Sequence, residues 1–452
     1  MTQTGSDVVV VGAGLVGSIL AIFLRQQGYS VRVYEKRPDM RTSDLGGGRS
    51  INLVATSRGL HALEQVGLKD EILALTSPVY GRMMHDEQGN LTYQSYSKDN
   101  TDCNYSVSRA ELNKTLMTFA EQAGATIVFE QELLNADFDS GILAFTDGTV
   151  QTSQIFATDG AGSAVRRTLA QQGHVTEHTD FLAYGYKELV IPPDENGDFR
   201  IDKDALHIWP RGDHMLMALP NQDGSFTVTL YLANEGPLSF ASLTDEESVE
   251  DYFDIYYPDA IPLMPNLTKD FFANPTGLLG TVWCDPWFYK DRVALLGDAA
   301  HGVVPFFGQG MNAGFEDCTA LHNLFPHHEN FGSLFEAYHT VQKPNGDAIA
   351  RMAIANFVEM RDHVGDNYFL LQKAVEGILG RTFPQVYLSK YSMVTHSLIP
   401  YQVAEQAGVI QKEILDELCG NLTHAENVDL QRAETLISSK LTPFLQAHNI
   451  TL

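Results

Sequence analysis

Glycines stand at three spaced positions in Gly12-Ala-Gly14-Leu-Val-Gly17, directly after the apolar run Val8-Val-Val-Val11. In a dinucleotide site the first glycine makes a tight turn. The second lets a pyrophosphate approach the backbone, and the third lets the next helix pack on the strand. That helix, opening at Leu15, offers unpaired N–H groups and a partial positive charge to phosphates. Glu35 ends the following strand, where a carboxylate accepts from ribose hydroxyls. Gly12, Gly14, Leu15, Gly17 and Glu35 are therefore cofactor-binding candidates. The fingerprint alone does not separate a flavin from a nicotinamide dinucleotide.

Further along, Leu295-Leu-Gly297-Asp298 follows an apolar strand. An aspartate there either caps a helix or holds a ligand. Asp159-Gly160, taken alone, reads as a turn. Gly308-Gln309-Gly310-Met311-Asn312 permits close backbone approach to a flat group. The run Met311–Leu324 has helical spacing, so its N-terminus would face whatever lies on that loop.

These residues need elements to hold them. Val8–Val11, a helix over Leu15–Gln27 closed by Gly28, and Ser30–Tyr34 form a βαβ opening. Asp39–Ser50 reads as a loop, Ser57–Ala74 as helical, and Tyr80–Val107 as hairpins. Arg109–Gln122 is a helix, Thr126–Phe129 a strand, and Gln151–Leu169 a strand-turn-helix unit. Between Ala183 and Leu232, closely spaced turns separate strand-like runs, which predicts antiparallel pairing. Val293–Leu296 is a buried strand, and the chain is mostly helical after Phe331. The expected architecture is α/β: a Rossmann-like dinucleotide-binding domain, an inserted antiparallel β-sheet domain, and a C-terminal helical region. The first takes residues 1–75, 106–180 and 285–345, the second 76–105 and 181–284, and the third 346–452.

The chain has 452 residues, enough for two or three subdomains. Lys plus Arg is 30 against Asp plus Glu 57, a net charge of −27. That balance argues against nucleic-acid partners and against anionic membrane surfaces. No run of about 18 apolar residues suggests a membrane anchor. The four cysteines, Cys103, Cys284, Cys318 and Cys419, form no CxxC pair and have no metal-ligand spacing with histidine. Scattered thiols fit a cytoplasmic protein, and no metal is expected.

Taken in order, the three motifs resemble the FAD-dependent aromatic hydroxylases, and among these the kynurenine 3-monooxygenase family. Leu295–His301 resembles the family's GD motif, whose aspartate, Asp298 here, holds the ribityl side of FAD. Ala157–Arg166 resembles its DG motif, near the pyrophosphate and the nicotinamide, with Asp159. Ala157-Thr158 departs from the Gly-Ala of many members. The narrower likeness rests on Gly48–Leu53, Tyr184–Leu189, Ala205–Pro210, Ser225–Leu230 and Tyr391–Thr395. It covers nearly the whole chain. Phe307 stands where some bacterial members carry histidine, which excludes a histidine role at that point.

The resemblance implies tightly bound FAD, NADPH as a transient co-substrate, and O2-dependent hydroxylation of L-kynurenine to 3-hydroxy-L-kynurenine in tryptophan catabolism. It adds Arg109, Gly310, Met311 and Asn312 to the FAD contacts. It places Pro305, Phe306, Gly308, Gln309 and Gly310 on the flavin-facing loop, with no side chain required as acid or base. It puts Arg82, Tyr96 and Tyr401 on the substrate carboxylate, Asn356 nearby, and Gln309 at the substrate carbonyl beside Phe306. Only one GxGxxG is present, so no second Rossmann domain for NADPH is expected. Hydroxylation of another aromatic acid and a non-catalytic FAD-binding redox protein stay open as alternatives. A flavin halogenase lacks its WxWxIP motif here, since Trp283 and Trp287 stand in Trp-Cys-Asp-Pro-Trp.

Overall fold

The computed structural model describes residues 7–42, 52–96, 102–362 and 367–452. Most of the loop expected over Asp39–Ser50, and residues 48–51 of the first family stretch, lie outside them.

β1 (Asp7–Val11), α1 (Leu15–Gln26) and β2 (Ser30–Tyr34) open the chain. Val8, Val9 and Val10 are wholly buried, as a parallel strand covered on both faces requires. Gly28, at φ +87°, supplies the left-handed residue that ends the first helix. Next come β3 (Leu53–Ala55), α2 (Ser57–Gln65), α3 (Lys69–Leu73), β4 (Thr76–Val79), β5 (Gly81–His85), β6 (Leu91–Ser95) and β7 (Asn104–Val107). The single helical stretch expected over Ser57–Ala74 is broken at Gly67, which sits at φ +76°. α4 (Arg109–Gln122) and β8 (Thr126–Val128) follow. A meander of β9 (Leu133–Asp137), β10 (Ile142–Phe145) and β11 (Gly148–Gln151) comes next, then β12 (Gln154–Ala157) and α5 (Ala164–Gln171).

The insertion holds β13 (Thr176–Ile191), β14 (Ala205–Arg211), β15 (His214–Pro220) and β16 (Phe226–Ala233). α6 (Glu246–Tyr256) and α7 (Leu267–Ala273) lead to β17 (Gly277–Asp285). β18 (Phe288–Tyr289), β19 (Val293–Leu295), α8 (Asp298–His301) and α9 (Gly310–Leu324) return to the first domain. α10 (Phe331–Asp362), α11 (Asn367–Thr382), α12 (Lys390–Thr395) and α13 (Tyr401–Cys419) begin the helical end of the chain.

The six-stranded sheet has the order β18-β19-β12-β1-β2-β8, parallel except at β18–β19. Strand order reverses at β1, and ligands of open α/β sheets bind at such a switch point. The seven-stranded sheet runs β17-β13-β16-β15-β14-β5-β6, antiparallel except at β14–β5. One core fills the six-stranded sheet and its helices, and a second packs α6 and α7 on the large sheet. A third joins the C-terminal helices to Phe306, Phe307 and Tyr231.

The expected domain limits shift in two places. β4 and β7 pair with each other and β7 with β3, so only β5 and β6 of the 76–105 segment join the large sheet. The boundary at 345/346 falls inside α10, which runs unbroken across it.

Candidate active site

A cavity of about 860 Å³ lies between the two large sheets and runs from β1 to the loop before α9. Gly12, Gly14, Leu15 and Glu35 line one end, and Arg82, Tyr96 and Gly308–Met311 the other. At the first end Gly12 has φ +100°, and a Cβ there would come 2.7 Å from the Thr158 carbonyl oxygen. Only glycine fits that turn. Gly17 does not line the cavity. It packs α1 against the Gly12 carbonyl and Thr158 Oγ1, the packing role expected of the third glycine. α1 starts without a side-chain cap and without an acidic residue in its first turn, leaving its N–H groups for a ligand.

Glu35 is buried. Its Oε2 accepts from the Ala13 N–H at 2.8 Å, and its Oε1 accepts from Arg37 Nε at 2.7 Å. Burial raises its pKa, but the bonds and charge of Arg37 outweigh that, so it lies below the usual range. Arg109 lines the wall, as do Lys36, Arg37 and Arg167, three cations that sequence reading missed. Asp298 lines the cavity as the first residue of α8, and no hydrogen bond from another described residue reaches its carboxylate. Behind it, Asp317 accepts from the Gly297 N–H at 2.8 Å and from His301 at 2.6 Å. Asp159 and Gly160 also line the cavity. The Asp159 carboxylate, however, accepts from Ser163 Oγ at 2.6 Å and from the Ala164 N–H at 2.7 Å, so it is engaged in capping α5.

At the far end Pro305, Phe306, Gly308, Gln309, Gly310 and Met311 form the wall. Gly308 takes φ +66°, and α9 opens at Gly310 with neither a side-chain cap nor an acid in its first turn. Asn312 faces away from the cavity, contrary to expectation. It accepts from the Thr56 N–H at 2.9 Å and donates to Val54 and Gly308 carbonyls at 2.8 and 3.0 Å. These bonds tie the loop to β3 and α2.

Arg82, on β5, faces the cavity with its Nε buried and unpaired. Its guanidinium lies 5.9 Å from the Tyr96 ring centroid and 5.0 Å from that of Tyr391. Among the described residues no carboxylate forms an ion pair with it. Burial raises the Tyr96 hydroxyl well above its usual pKa, which keeps it a donor. Tyr401 is a correction. It lies outside the cavity wall, wholly buried, and donates to Gln309 Oε1 at 2.8 Å. The second tyrosine beside Arg82 is Tyr391, the first residue of a family stretch whose side chain sequence reading left without a role. Asn356 likewise stands behind the wall, its amide donating to the Phe306 carbonyl at 2.7 Å. Leu206 and Ile208, then Met217 and Leu219, then Thr227, Thr229 and Tyr231 line the large-sheet side, every second residue on three strands.

A family model described as an FAD binding domain matches residues 5–353. A kynurenine 3-monooxygenase of Myxococcus xanthus is 48% identical over 99% of this chain and 98% of its own. The chain belongs to the kynurenine 3-monooxygenase family. A second relative of that name, from Dictyostelium discoideum, is 42% identical over 96% of this chain and 98% of its own. Two solved structures share the fold at 20% identity. One is 2-methyl-3-hydroxypyridine-5-carboxylic acid oxygenase, with TM-score 0.67 over 80% of this chain and 94% of that one. The other is P. aeruginosa PqsL in complex with 2-aminobenzoylacetate, with TM-score 0.65 over 79% and 97%.

As a member of this family the chain carries FAD, and its residues fit that group. Two uncapped helix starts open on one cavity, Gly12 leaves room that a Cβ would fill, and the buried Gln309 Nε2 has no partner. Among the described residues no helix is long and apolar enough to cross a membrane, and no cluster could hold a metal.

Proposed function

We propose that this chain hydroxylates L-kynurenine, taking NADPH, a proton and O2 and giving 3-hydroxy-L-kynurenine, NADP+ and water. The observation that carries the substrate is Arg82. It is a cation on the cavity wall, set between Tyr96 and Tyr391, with no carboxylate partner among the described residues. Such a cation calls for a carboxylate on the ligand.

When bound, FAD would supply the redox chemistry, hydride acceptance from NADPH and activation of O2. The chain's own residues supply position. Gly12, Gly14, Leu15 and the start of α1 would hold the pyrophosphate, with Arg109 at hand. Glu35 would take the adenosine ribose, and Asp298 the ribityl side. The start of α9, at Gly310 and Met311, would offer its N–H donors to the negative charge of a reduced flavin. Arg82 with Tyr96 and Tyr391 grips the substrate carboxylate. Pro305 and Phe306 wall the arene, with Tyr231 5.1 Å from Phe306. No protein base is needed, because the ring amino group already enriches the carbon beside it. Apolar strand residues such as Ile208 and Met217 exclude water.

The same reading divides the chain into an FAD-binding domain, a β-rich substrate domain and a helical region that backs the site. It places the enzyme in the cytoplasm. Mass spectrometry of the product from kynurenine, NADPH and O2 tests it. The expected product carries one added oxygen on the ring carbon next to the amino-bearing carbon. NADPH oxidation stimulated by a different aromatic acid, and not by kynurenine, would replace the substrate.

A further inference from the structure

Besides Tyr391 on the cavity wall, the C-terminal helices reach the loop before α9 through a hydroxyl from behind. Tyr401 is the first residue of α13, and its hydroxyl donates to Gln309 Oε1 at 2.8 Å. Thr56 Oγ1 lies 3.5 Å from the same oxygen. With the oxygen taken by Tyr401, the other end of the amide, Nε2, is buried and unpaired on a residue that lines the cavity. A buried unpaired donor costs stability unless a ligand meets it.

Tyr401 is itself clamped. Arg58, with its side chain fully buried, lies with its guanidinium 3.9 Å from the Tyr401 ring centroid. Its Nη1 donates to the Val394 and Ser397 carbonyls at 3.1 and 2.5 Å, and its Nη2 to the Ile399 carbonyl. Glu316 on α9 pairs with it at 3.2 Å. One cation thus fixes the segment entering α13 and the ring whose hydroxyl reaches the flavin-facing loop.

We propose that Tyr401 is a positioning residue: held by Arg58, it turns the Gln309 amide so that Nε2 donates to the ketone oxygen of the substrate. The inference rests on kynurenine being that substrate, since its ketone is the neutral acceptor between the carboxylate end and the ring. Tyr401 touches neither substrate nor cofactor. It acts through Gln309.

The test is a double-mutant cycle on the FAD-loaded protein, reading kynurenine affinity from the change in flavin absorbance. Tyr401→Phe removes one hydroxyl and keeps the packing. It should weaken kynurenine about 3- to 10-fold, the worth of one neutral hydrogen bond, with FAD affinity unchanged. In a Gln309→Leu background the same change should cost nothing more, because the amide it orients is gone. Tyr387→Phe removes a second buried hydroxyl of the helical region, one with no hydrogen-bond partner, and should leave kynurenine affinity at the wild-type value. Unchanged affinity in Tyr401→Phe, or an equal loss with and without Gln309, overturns the proposal. Should the wild-type flavin respond only to a different aromatic acid, the assigned substrate falls by itself. The cycle run with that acid then decides the positioning role by the same criterion.

Discussion

A guanidinium stays charged at any pH the fold survives, so Arg82 either finds a carboxylate in its ligand or remains a buried cost. That fixes the sign of its removal. Arg82→Ala should raise the kynurenine KM roughly 10- to 100-fold, the worth of a charge-assisted hydrogen bond, while the protein stays yellow. Steady-state kinetics with a flavin spectrum reads both, and a wild-type KM would take Arg82 out of the site. Asp298, which also lines the cavity, is proposed to hold the cofactor rather than the substrate. Asp298→Ala should weaken FAD about 10-fold or more, seen as flavin lost on gel filtration. Full retention would assign the ribityl contact elsewhere.

Two helix starts, those of α1 and α9, open on one cavity with their first N–H groups uncapped by side chains. A short piece sits beside the second. α8 is held to α9 by Asp317, which bonds both the Gly297 N–H and His301. Burial alone would lower the His301 pKa, but the charge and hydrogen bond of Asp317 outweigh it and raise it above 6.5. The sign follows from linkage: its stabilisation is complete below the unfolded value and is lost as pH rises through the higher folded value. Melting temperature should therefore fall from pH 6.5 toward 9 more steeply in the wild type than in His301→Gln. Parallel slopes would show that the pair contributes nothing.

Much of this level was legible in the sequence. A continuous β-branched run, a glycine turn and an amphipathic helix are local signals, and β1, α1 and β2 follow from them. The β9–β11 meander and α6 and α7 went unread, although the capping box of Asp245 and Ser248 marks the start of α6 in the sequence. The site was harder. Glycines, Glu35 and Asp298 are marked by what the backbone needs nearby. Tyr391 and Tyr401 both sit in helices that meet the cavity only through tertiary packing, and spacing does not say which one enters it. For the same reason Asn312 and Asn356 were placed on the wall when they brace it from behind.

At the scale of the molecule, Arg58 joins α2 of the FAD-binding half to the segment entering α13. Deleting it would strip three carbonyls of their donor and leave Glu316 without its cation. Arg58→Ala should cost about 3 kcal/mol of stability, read by chemical denaturation, with proteolysis beginning in the helical region. An unchanged midpoint would mean that this region is held by its apolar core alone. Arg58→Lys should recover only part, since one ammonium does not reproduce a planar fork. α10 joins the halves in another way. Before Pro344 it gives Leu334, Phe335 and Tyr338 to the first core, and after it Ala348, Ile349 and Met352 to the one shared with the C-terminal helices. A helix embedded at both ends couples the two cores, and its proline, with no N–H to give the ladder, stands where a bend between them would concentrate. Phe181, 63% exposed, lines the cavity as well, so trimming or enlarging that side chain should change how fast reactants come and go.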